Sequence, residues 1–177
     1  MYKYKKIDLS NKIIRSVWQI VYWLFFRFSP IPFHFWRAVL LRLFCATIGK
    51  NVLIYPSAKI WAPWNLSMAD GSCIGPNVDC YCVDRIELGR NARISQRAFI
   101  CTAGHDYNLY NLPLITAPII IECDAWVTAE VYVGPGVTLH TGAVALPRSV
   151  VTKDVDPWDV VAGNPAKIVR KRIVNSL

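Results

Sequence analysis

The sequence predicts an all-β solenoid, a fold in which short parallel strands stack coil upon coil. Three observations point to it: apolar residues recur every six positions from Ile48 onward, a small residue follows many of them, and eleven prolines and nine glycines argue against a helical bundle. With 177 residues and a mass of 20.1 kDa, the chain is long enough for one domain with a short extension. An apolar content of 54% excludes a disordered chain.

The six-residue period is the main pattern of the chain, and its sixteen primary positions are all apolar or Cys. They are Ile48, Ile54, Ile60, Leu66, Ile74, Cys80, Ile86, Leu88, Ile94, Ile100, Ile121, Val127, Val133, Leu139, Ala145 and Val151. The smaller residues that come four positions later include Val52, Ala58, Val78, Ala92, Ala98, Ala125, Val131, Val137, Ala143 and Ser149. We therefore expect the primary residues to point inward and the small residues to occupy the corners between strands. Gly49, Gly75, Gly89 and Gly134 directly follow inward positions, and we expect them to give the corners their backbone freedom.

Residues 1–47 precede the repeat and predict two short amphipathic helices broken at Ser29–Pro32. The apolar stretch 17–26 ends at Arg27 and is shorter than the ~20 residues that span a bilayer. Aromatic residues with basic flanks are typical of helices that lie on a membrane surface. The alternative is that these helices pack on the repeat or on a sister subunit.

The net charge of +8 lies at one end of the chain. Residues 1–50 hold nine basic residues against one acid, Asp8, and the other 127 residues hold eleven of each sign. A body without net charge does not favour nucleic-acid binding, so we expect no nucleic-acid partner and an anionic membrane surface instead. We expect a cytoplasmic protein, peripheral on the inner face of the cytoplasmic membrane, whose six cysteines are reduced thiols.

The period fails once at length, between Cys101 and Pro118, which predicts an extruded loop over 101–118. His105 lies in this loop, and a lone His can be either a catalytic base or a satisfied turn residue. The domain prediction is a helical segment 1–47, a β-helix 48–165 carrying that loop, and a C-terminal tail 166–177.

Several segments of the chain resemble those of hexapeptide-repeat acyltransferases, which fold as a left-handed parallel β-helix. The resemblance is narrower with the exopolysaccharide (colanic acid type) O-acetyltransferases and covers almost the whole chain. The segments that carry it are 41–50, Ile94–Gln96, Cys101–Asp106, Ala117–Ile119, Ala125–Val127, Val133–Thr138 and Gly163–Ala166.

The resemblance implies direct transfer of an acetyl group from acetyl-CoA to a sugar hydroxyl in a homotrimer with sites between neighbouring subunits. His105 would be the general base, and Asp106 or a backbone carbonyl would fix its tautomer. Trp126 would wall the acceptor and thioester site, the backbone N–H of Ala129 would stabilise the oxyanion, and Cys82 replaces an Asn that contacts the acceptor. The coenzyme groove would be lined by Ala129, Pro147, Thr152 and Lys153, with Lys167 and Arg170 at the phosphates. Pro147 lacks the N–H that the family offers to the pantetheine.

Alternatives remain at several of these positions. Trp126 can be a plain corner aromatic, and Cys101 can be a covalent nucleophile. We expect no metal, because a zinc enzyme of the γ-carbonic anhydrase kind needs three His ligands and the repeat holds only His105 and His140. Sugar nucleotidyltransferases add an N-terminal nucleotide-binding domain, but no G-x-G run or alternating βα pattern precedes Ile48. The alternative function is a non-catalytic scaffold or membrane-docked binding module. The acceptor would be a saccharide of a polysaccharide precursor, which a lipid can carry.

Overall fold

The computed structural model describes residues 2–174 of the chain. It begins with a short strand β1 (Lys3–Tyr4), followed by helix α1 (Leu9–Val21), which continues as a π-helical turn (Tyr22–Phe26), and helix α2 (His34–Leu43). Asp8 caps α1 by accepting a hydrogen bond from the backbone N–H of Asn11 at 2.8 Å. The turn over 27–33 separates the helices because Pro30 and Pro32 lack the backbone N–H that a helix requires.

The remaining chain forms a left-handed parallel β-helix with three faces. The first face holds β2 (Thr47–Ile48), β5 (Leu66–Met68), β8 (Ile86–Leu88), β13 (Ile119–Ile121) and β16 (Thr138–Leu139). The second holds β3 (Leu53–Ile54), β6 (Cys73–Ile74), β9 (Arg93–Ile94), β14 (Trp126–Val127), β17 (Val144–Ala145), β19 (Asp159–Gly163) and β20 (Ala166–Lys171). The third holds β4 (Lys59–Ile60), β7 (Asp79–Tyr81), β10 (Phe99–Cys101), β15 (Tyr132–Val133) and β18 (Val150–Val151).

The hexad residues form the interior of this prism. All sixteen primary positions and all ten small positions named above are buried. The register aligns the primary residues in columns, which on the second face run Ile54, Ile74, Ile94, Val127 and Ala145. Each column buries apolar area that no single coil could bury alone, so the predicted solenoid and its inward ladder are confirmed.

The corners turn differently from the sequence-based expectation. None of Gly49, Gly75, Gly89 and Gly134 has a positive φ. A Cβ on Gly75 would lie 2.9 Å from the carbonyl oxygen of Ile94, and a Cβ on Gly89 would lie 2.5 Å from the backbone N of Cys123. Space between coils, not backbone freedom, therefore requires Gly at these two positions. The left-handed conformation falls instead on the residue before nine of the ten small positions, as in Asn51, Asn77 and Asn91; Ser57, before Ala58, is the exception.

Both helices pack on the open end of the first coil and close it. On each face the first strand ends in a carbonyl with no coil below it, and a helix side chain donates to that carbonyl. Arg42 donates to Ile48 O at 2.9 Å, Arg37 to Ile54 O at 2.5 Å and Trp18 to Ile60 O at 2.7 Å. We call these three donors the end cap.

The end cap changes the reading of the basic N-terminus. Arg37 is fully buried, and burial lowers the pKa of its guanidinium. Arg15 lies over the ring of Trp61, 4.2 Å from the ring centroid. These side chains serve the fold, and the opposite side of the helices carries exposed apolar residues such as Leu24, Phe28 and Phe35.

The C-terminal tail predicted over 166–177 begins as a strand. β20 pairs antiparallel with β19 and continues the second face, while residues 175–177 lie outside the described part. Within residues 2–174, no helix combines the length and the apolar character needed to cross a bilayer.

Candidate active site

The loop predicted over 101–118 is a β-hairpin that leaves the solenoid between the third and first faces. Its strands are β11 (Ala103–His105) and β12 (Leu114–Thr116), paired antiparallel with His105 opposite Leu114. β1 pairs with the other edge of β12, so three strands form a small sheet beside the prism. His105 is therefore placed at the end of a strand, close to the hairpin tip.

Buried hydrogen bonds fix the base of this hairpin. The Thr116 hydroxyl donates to Asp84 Oδ2 at 2.9 Å, and the backbone N–H of Asp84 donates to Thr102 Oγ1 at 2.9 Å. Thr102 in turn donates its hydroxyl proton to Tyr81 O at 2.8 Å. Because Thr102 and Thr116 are buried, these bonds tie both ends of the hairpin to the coil below.

The imidazole of His105 is exposed and is oriented by a backbone carbonyl. Its Nδ1 lies 2.6 Å from Leu112 O. A carbonyl oxygen only accepts hydrogen bonds, so Nδ1 must carry the proton, and Nε2 of the neutral ring is then free to accept one. Of the two partners that the sequence left open, the backbone carbonyl is the one in contact.

Asp106 has other partners. Its Oδ2 accepts a hydrogen bond from the Tyr4 hydroxyl at 2.8 Å, and its Oδ1 accepts one from the backbone N–H of Asn108 at 3.1 Å. Both bonds lower the pKa of the Asp106 carboxyl, and the bond from Tyr4 has the larger effect. Of the two alternatives that the sequence left open for the tautomer, Asp106 is thus the one not in contact with His105: its carboxylate fixes the hairpin tip and not the imidazole.

A second feature is a groove of about 520 Å³ along the second face. Four residues named in the sequence analysis line it together: Trp126, Ala129, Pro147 and Arg170. The Trp126 indole N–H donates to Ser95 Oγ at 2.8 Å, which holds the partly exposed ring in place. Val144 of β17 and Val160 of β19 also line it.

The backbone at Ala129 differs from that of its neighbours. The N–H groups of Thr128 and Glu130 donate to Ala145 O and Gln96 O, at 3.1 and 3.0 Å. Within residues 2–174 the N–H of Ala129 has no acceptor, and Ala129 is among the residues that line the groove. Such an N–H is available to a bound oxygen.

Three residues expected at the coenzyme lie outside the groove of the single chain. Thr152 and Lys153 follow β18 on the third face. Lys167, on β20, is exposed and pairs with Ala162 of β19. The residues that the resemblance assigned to one coenzyme groove are therefore divided between the second and third faces of the single chain.

Cys82 is also not brought to an open site. Its thiol is fully buried and lies 3.2 Å from both the N and the O of Ala62. Burial raises the pKa of this thiol to about 12. An acceptor sugar cannot reach this side chain, which corrects its expected role in substrate binding. Cys101 is buried as well, and its thiol donates to Ala103 O.

The structure adds two cations that the sequence analysis missed. Arg172 lines the groove and also a neighbouring polar cavity of about 360 Å³, which Arg93 lines as well. Arg172 donates to Asp124 O at 2.8 Å and Gly142 O at 3.1 Å. Arg172 directly follows β20 and lies two residues after Arg170; alternate residues of an extended chain share one side, so Arg170 could have indicated Arg172.

His105 is not among the residues that line the groove. The hairpin leaves from the third face, whereas Trp126 lies on the second, so one chain does not bring these two side chains together. Among residues 2–174, no three His, Cys, Asp or Glu side chains cluster in a way that could hold a metal ion.

Known proteins share this architecture. The chain is 40% identical over 164 residues, 93% of its length, to a protein of Escherichia coli K12 named as the colanic acid biosynthesis acetyltransferase WcaF, covering 90% of that protein. A hexapeptide-repeat acetyltransferase of Vibrio cholerae, solved with acetyl coenzyme A, matches with a TM-score of 0.84 and 25% identity, over 96% of this chain and 92% of that one.

A maltose O-acetyltransferase of Clostridium difficile 630 matches with a TM-score of 0.83 and 25% identity, over 93% of this chain and 89% of that one. No family model matches the chain. The hexad ladder, the three-faced solenoid and the identity to WcaF over nearly the whole length agree, and the chain belongs to the hexapeptide-repeat acetyltransferases.

Proposed function

We propose that this protein transfers the acetyl group of acetyl-CoA directly to a sugar hydroxyl of a polysaccharide precursor, with His105 as general base. The observation that carries the proposal is the bond between His105 Nδ1 and Leu112 O at 2.6 Å. It selects the tautomer whose free Nε2 can take the proton of an attacking alcohol. The name of the relative from Escherichia coli supports a polysaccharide precursor as the acceptor.

The reaction needs two contributions from the protein. Nε2 of His105 removes the hydroxyl proton while the alcohol oxygen attacks the thioester carbonyl, and the resulting tetrahedral oxyanion needs a donor. The unpaired N–H of Ala129 is our candidate for that donor. When the intermediate collapses, the proton on His105 passes to the departing thiolate of coenzyme A.

The groove on the second face is our candidate for the coenzyme site. Trp126, Ala129 and Pro147 would lie along the pantetheine, and Arg170 with Arg172 would meet the phosphates. Pro147 offers no N–H, so the pantetheine amide must find its partner elsewhere. The acetyl-CoA complex of the Vibrio cholerae protein supports this choice of ligand.

A single chain keeps His105 and the groove apart, so we propose a homotrimer in which the hairpin of one subunit reaches the groove of its neighbour. The bond between the imidazole and Leu112 O leaves the reactive nitrogen exposed at the hairpin tip. An exposed base on a projecting hairpin is suited to completing a site on another subunit.

We further propose that the exposed side of the helices rests on an anionic membrane surface. Leu24, Phe25, Phe28, Phe35 and Trp36 border an apolar groove of about 690 Å³ there. The exposed Lys12 lies on α1, and the helical segment holds only one acid, Asp8. Apolar and aromatic side chains with a few cations are typical of interfacial helices. The enzyme and an acceptor carried by a membrane lipid would then both diffuse in the plane of the same membrane.

The function is tested by replacing His105. We expect His105→Ala to lower kcat by roughly 10²- to 10⁴-fold, with little change in the KM for acetyl-CoA, because only the proton acceptor is removed. The assay follows release of the coenzyme A thiol with acetyl-CoA and a panel of nucleotide sugars and lipid-linked oligosaccharides.

His140→Ala is the matched control. His140 lies on a solenoid corner, where its Nδ1 is 3.0 Å from Glu122 Oε1, and we place it outside the catalytic machinery. Wild-type turnover in a folded His105→Ala protein would show that the hairpin serves binding and not proton transfer.

A further inference from the structure

We propose that the N-terminal strand β1 is a positioning element of the active site, and that Tyr4 and Lys5 act by holding the hairpin that carries His105. The inference rests on the proposed role of His105 and goes beyond it, because residues 3–5 lie far from His105 in sequence. It concerns orientation of the base, not contact with substrate.

The backbone pairing is the first support. β11 and β12 alone would form a two-stranded hairpin projecting from the solenoid, and isolated hairpins are marginally stable in water. β1 adds a third strand, with Lys3 opposite Thr116 and Tyr4 opposite Ile115. The backbone N–H of Lys5 extends the ladder by donating to Leu114 O at 2.9 Å, and Leu114 is the partner of His105 in the adjacent pair.

The side chains of Tyr4, on β1, and of Lys5, which follows it, supply the second support. The Tyr4 hydroxyl donates to Asp106 Oδ2 at 2.8 Å, and Lys5 Nζ donates to Val83 O next to the hairpin base. Asp106 is the first residue of the tip, and its own N–H donates to Pro113 O at 3.0 Å. Residues 3–5 thus contact the hairpin at its tip and along its edge, and Lys5 also bonds to the neighbour of Asp84, the residue that holds the hairpin base.

The tip includes the carbonyl that orients the imidazole. Leu112 has a left-handed φ of 44°, and its N–H donates to Leu109 O at 3.0 Å. Because Asp106 and Pro113 close the tip, a shift of Asp106 would move Leu112 O relative to His105 Nδ1. The bond from Tyr4 therefore acts on the base through Asp106 and the turn.

The first experiment removes one backbone hydrogen bond in the full-length protein. Lys5→Pro deletes the N–H that donates to Leu114 O, and the matched control Lys5→Ala removes the side chain but keeps that N–H. We expect amide hydrogen exchange over residues 103–116 to be at least about tenfold faster in Lys5→Pro than in Lys5→Ala, with the solenoid amides unchanged. Equal exchange rates in the two variants would overturn the proposal.

The second experiment separates positioning from mere stability by a double-mutant cycle on Tyr4→Phe and Asp106→Ala. Each variant should lower kcat by about 3- to 10-fold without changing the KM for acetyl-CoA, and the double variant should lose no more than Asp106→Ala alone. Asp106→Asn keeps an acceptor for the Tyr4 hydroxyl and should retain more activity than Asp106→Ala.

Additive losses would show that Tyr4 and Asp106 act separately, which contradicts the inference. If His105→Ala retains full turnover, the proposed base is wrong, while the exchange experiment still decides whether β1 holds the hairpin.

Discussion

The carbonyl of Leu112 fixes the tautomer of His105, and nothing in the sequence marks that carbonyl as the partner. A backbone acceptor has no residue type, so only the path of the chain over 106–113 could identify it. His105 itself could be singled out as a candidate from the sequence, because it stands in the only long gap of a regular pattern. Asp106, its neighbour in sequence, points to Tyr4, a partner 102 residues away.

Arg170 is our test of the coenzyme groove. Arg170→Ala should raise the KM for acetyl-CoA severalfold and weaken its dependence on ionic strength, because a cation near phosphate is lost. Lys167→Ala, on the same strand but outside the groove, is the matched control and should change neither quantity. Identical kinetics in the two variants would place the phosphates elsewhere.

Cys82 makes stability depend on pH in the alkaline range. Its pKa is about 12 in the folded protein and near 9 when exposed, so unfolding releases a proton from this thiol between those values. The stability that the buried, neutral Cys82 thiol contributes is therefore complete below about pH 9 and is lost as the pH rises toward 12. Urea unfolding in reducing buffer at pH 8 and pH 10 should show Cys82→Ala losing about 1 kcal/mol less than the wild type. Cys45→Ala, at an exposed site, is the control and should lose as much stability as the wild type.

At the scale of elements, the hexads predicted the strands and their inward residues, because burial against neighbouring coils leaves a strict period. The same pattern could not assign the glycines: a short distance between coils and a left-handed turn both favour Gly. Asn51, Asn77 and Asn91 carried the signal for the turns. β1 could not be predicted, since two residues leave no periodicity and their partner strand lies more than a hundred residues away.

The helices were predicted as amphipathic, but not all of their basic residues are available to a membrane. Arg37 and Arg42 belong to the end cap, which leaves fewer cations for a membrane than the count of charges implied. Attachment should accordingly depend mainly on apolar burial and only partly on salt.

Vesicle flotation tests this attachment. The full-length protein should float with anionic liposomes at low salt, and Phe28→Glu combined with Phe35→Glu should abolish flotation, because both exposed rings would be replaced by carboxylates. Val169→Glu, an exposed apolar residue on β20, is the control and should float like the wild type. Flotation by the double Glu variant would leave the helices as a cover for the solenoid end alone.

At the scale of the whole molecule, the separation of His105 from Trp126 is the strongest argument for assembly. Co-expressed His105→Ala and Trp126→Ala subunits should form mixed trimers in which some sites combine an intact hairpin with an intact groove. About a quarter of wild-type turnover should return if the subunits mix at random and pair between neighbours. Each variant expressed alone should stay far below that turnover, and confirmed mixed trimers that regain no turnover would locate the whole site within one chain.

The end cap also bears on whether molecules of this protein stack end to end. A parallel solenoid has no built-in last coil, and an uncovered first coil would present unpaired carbonyls to the end of another molecule, as in fibril elongation. Trp18, Arg37 and Arg42 occupy one such carbonyl on each face, so that the stack is terminated chemically as well as sterically. By covering the first coil, the N-terminal helices remove the surface on which a second molecule could stack end to end.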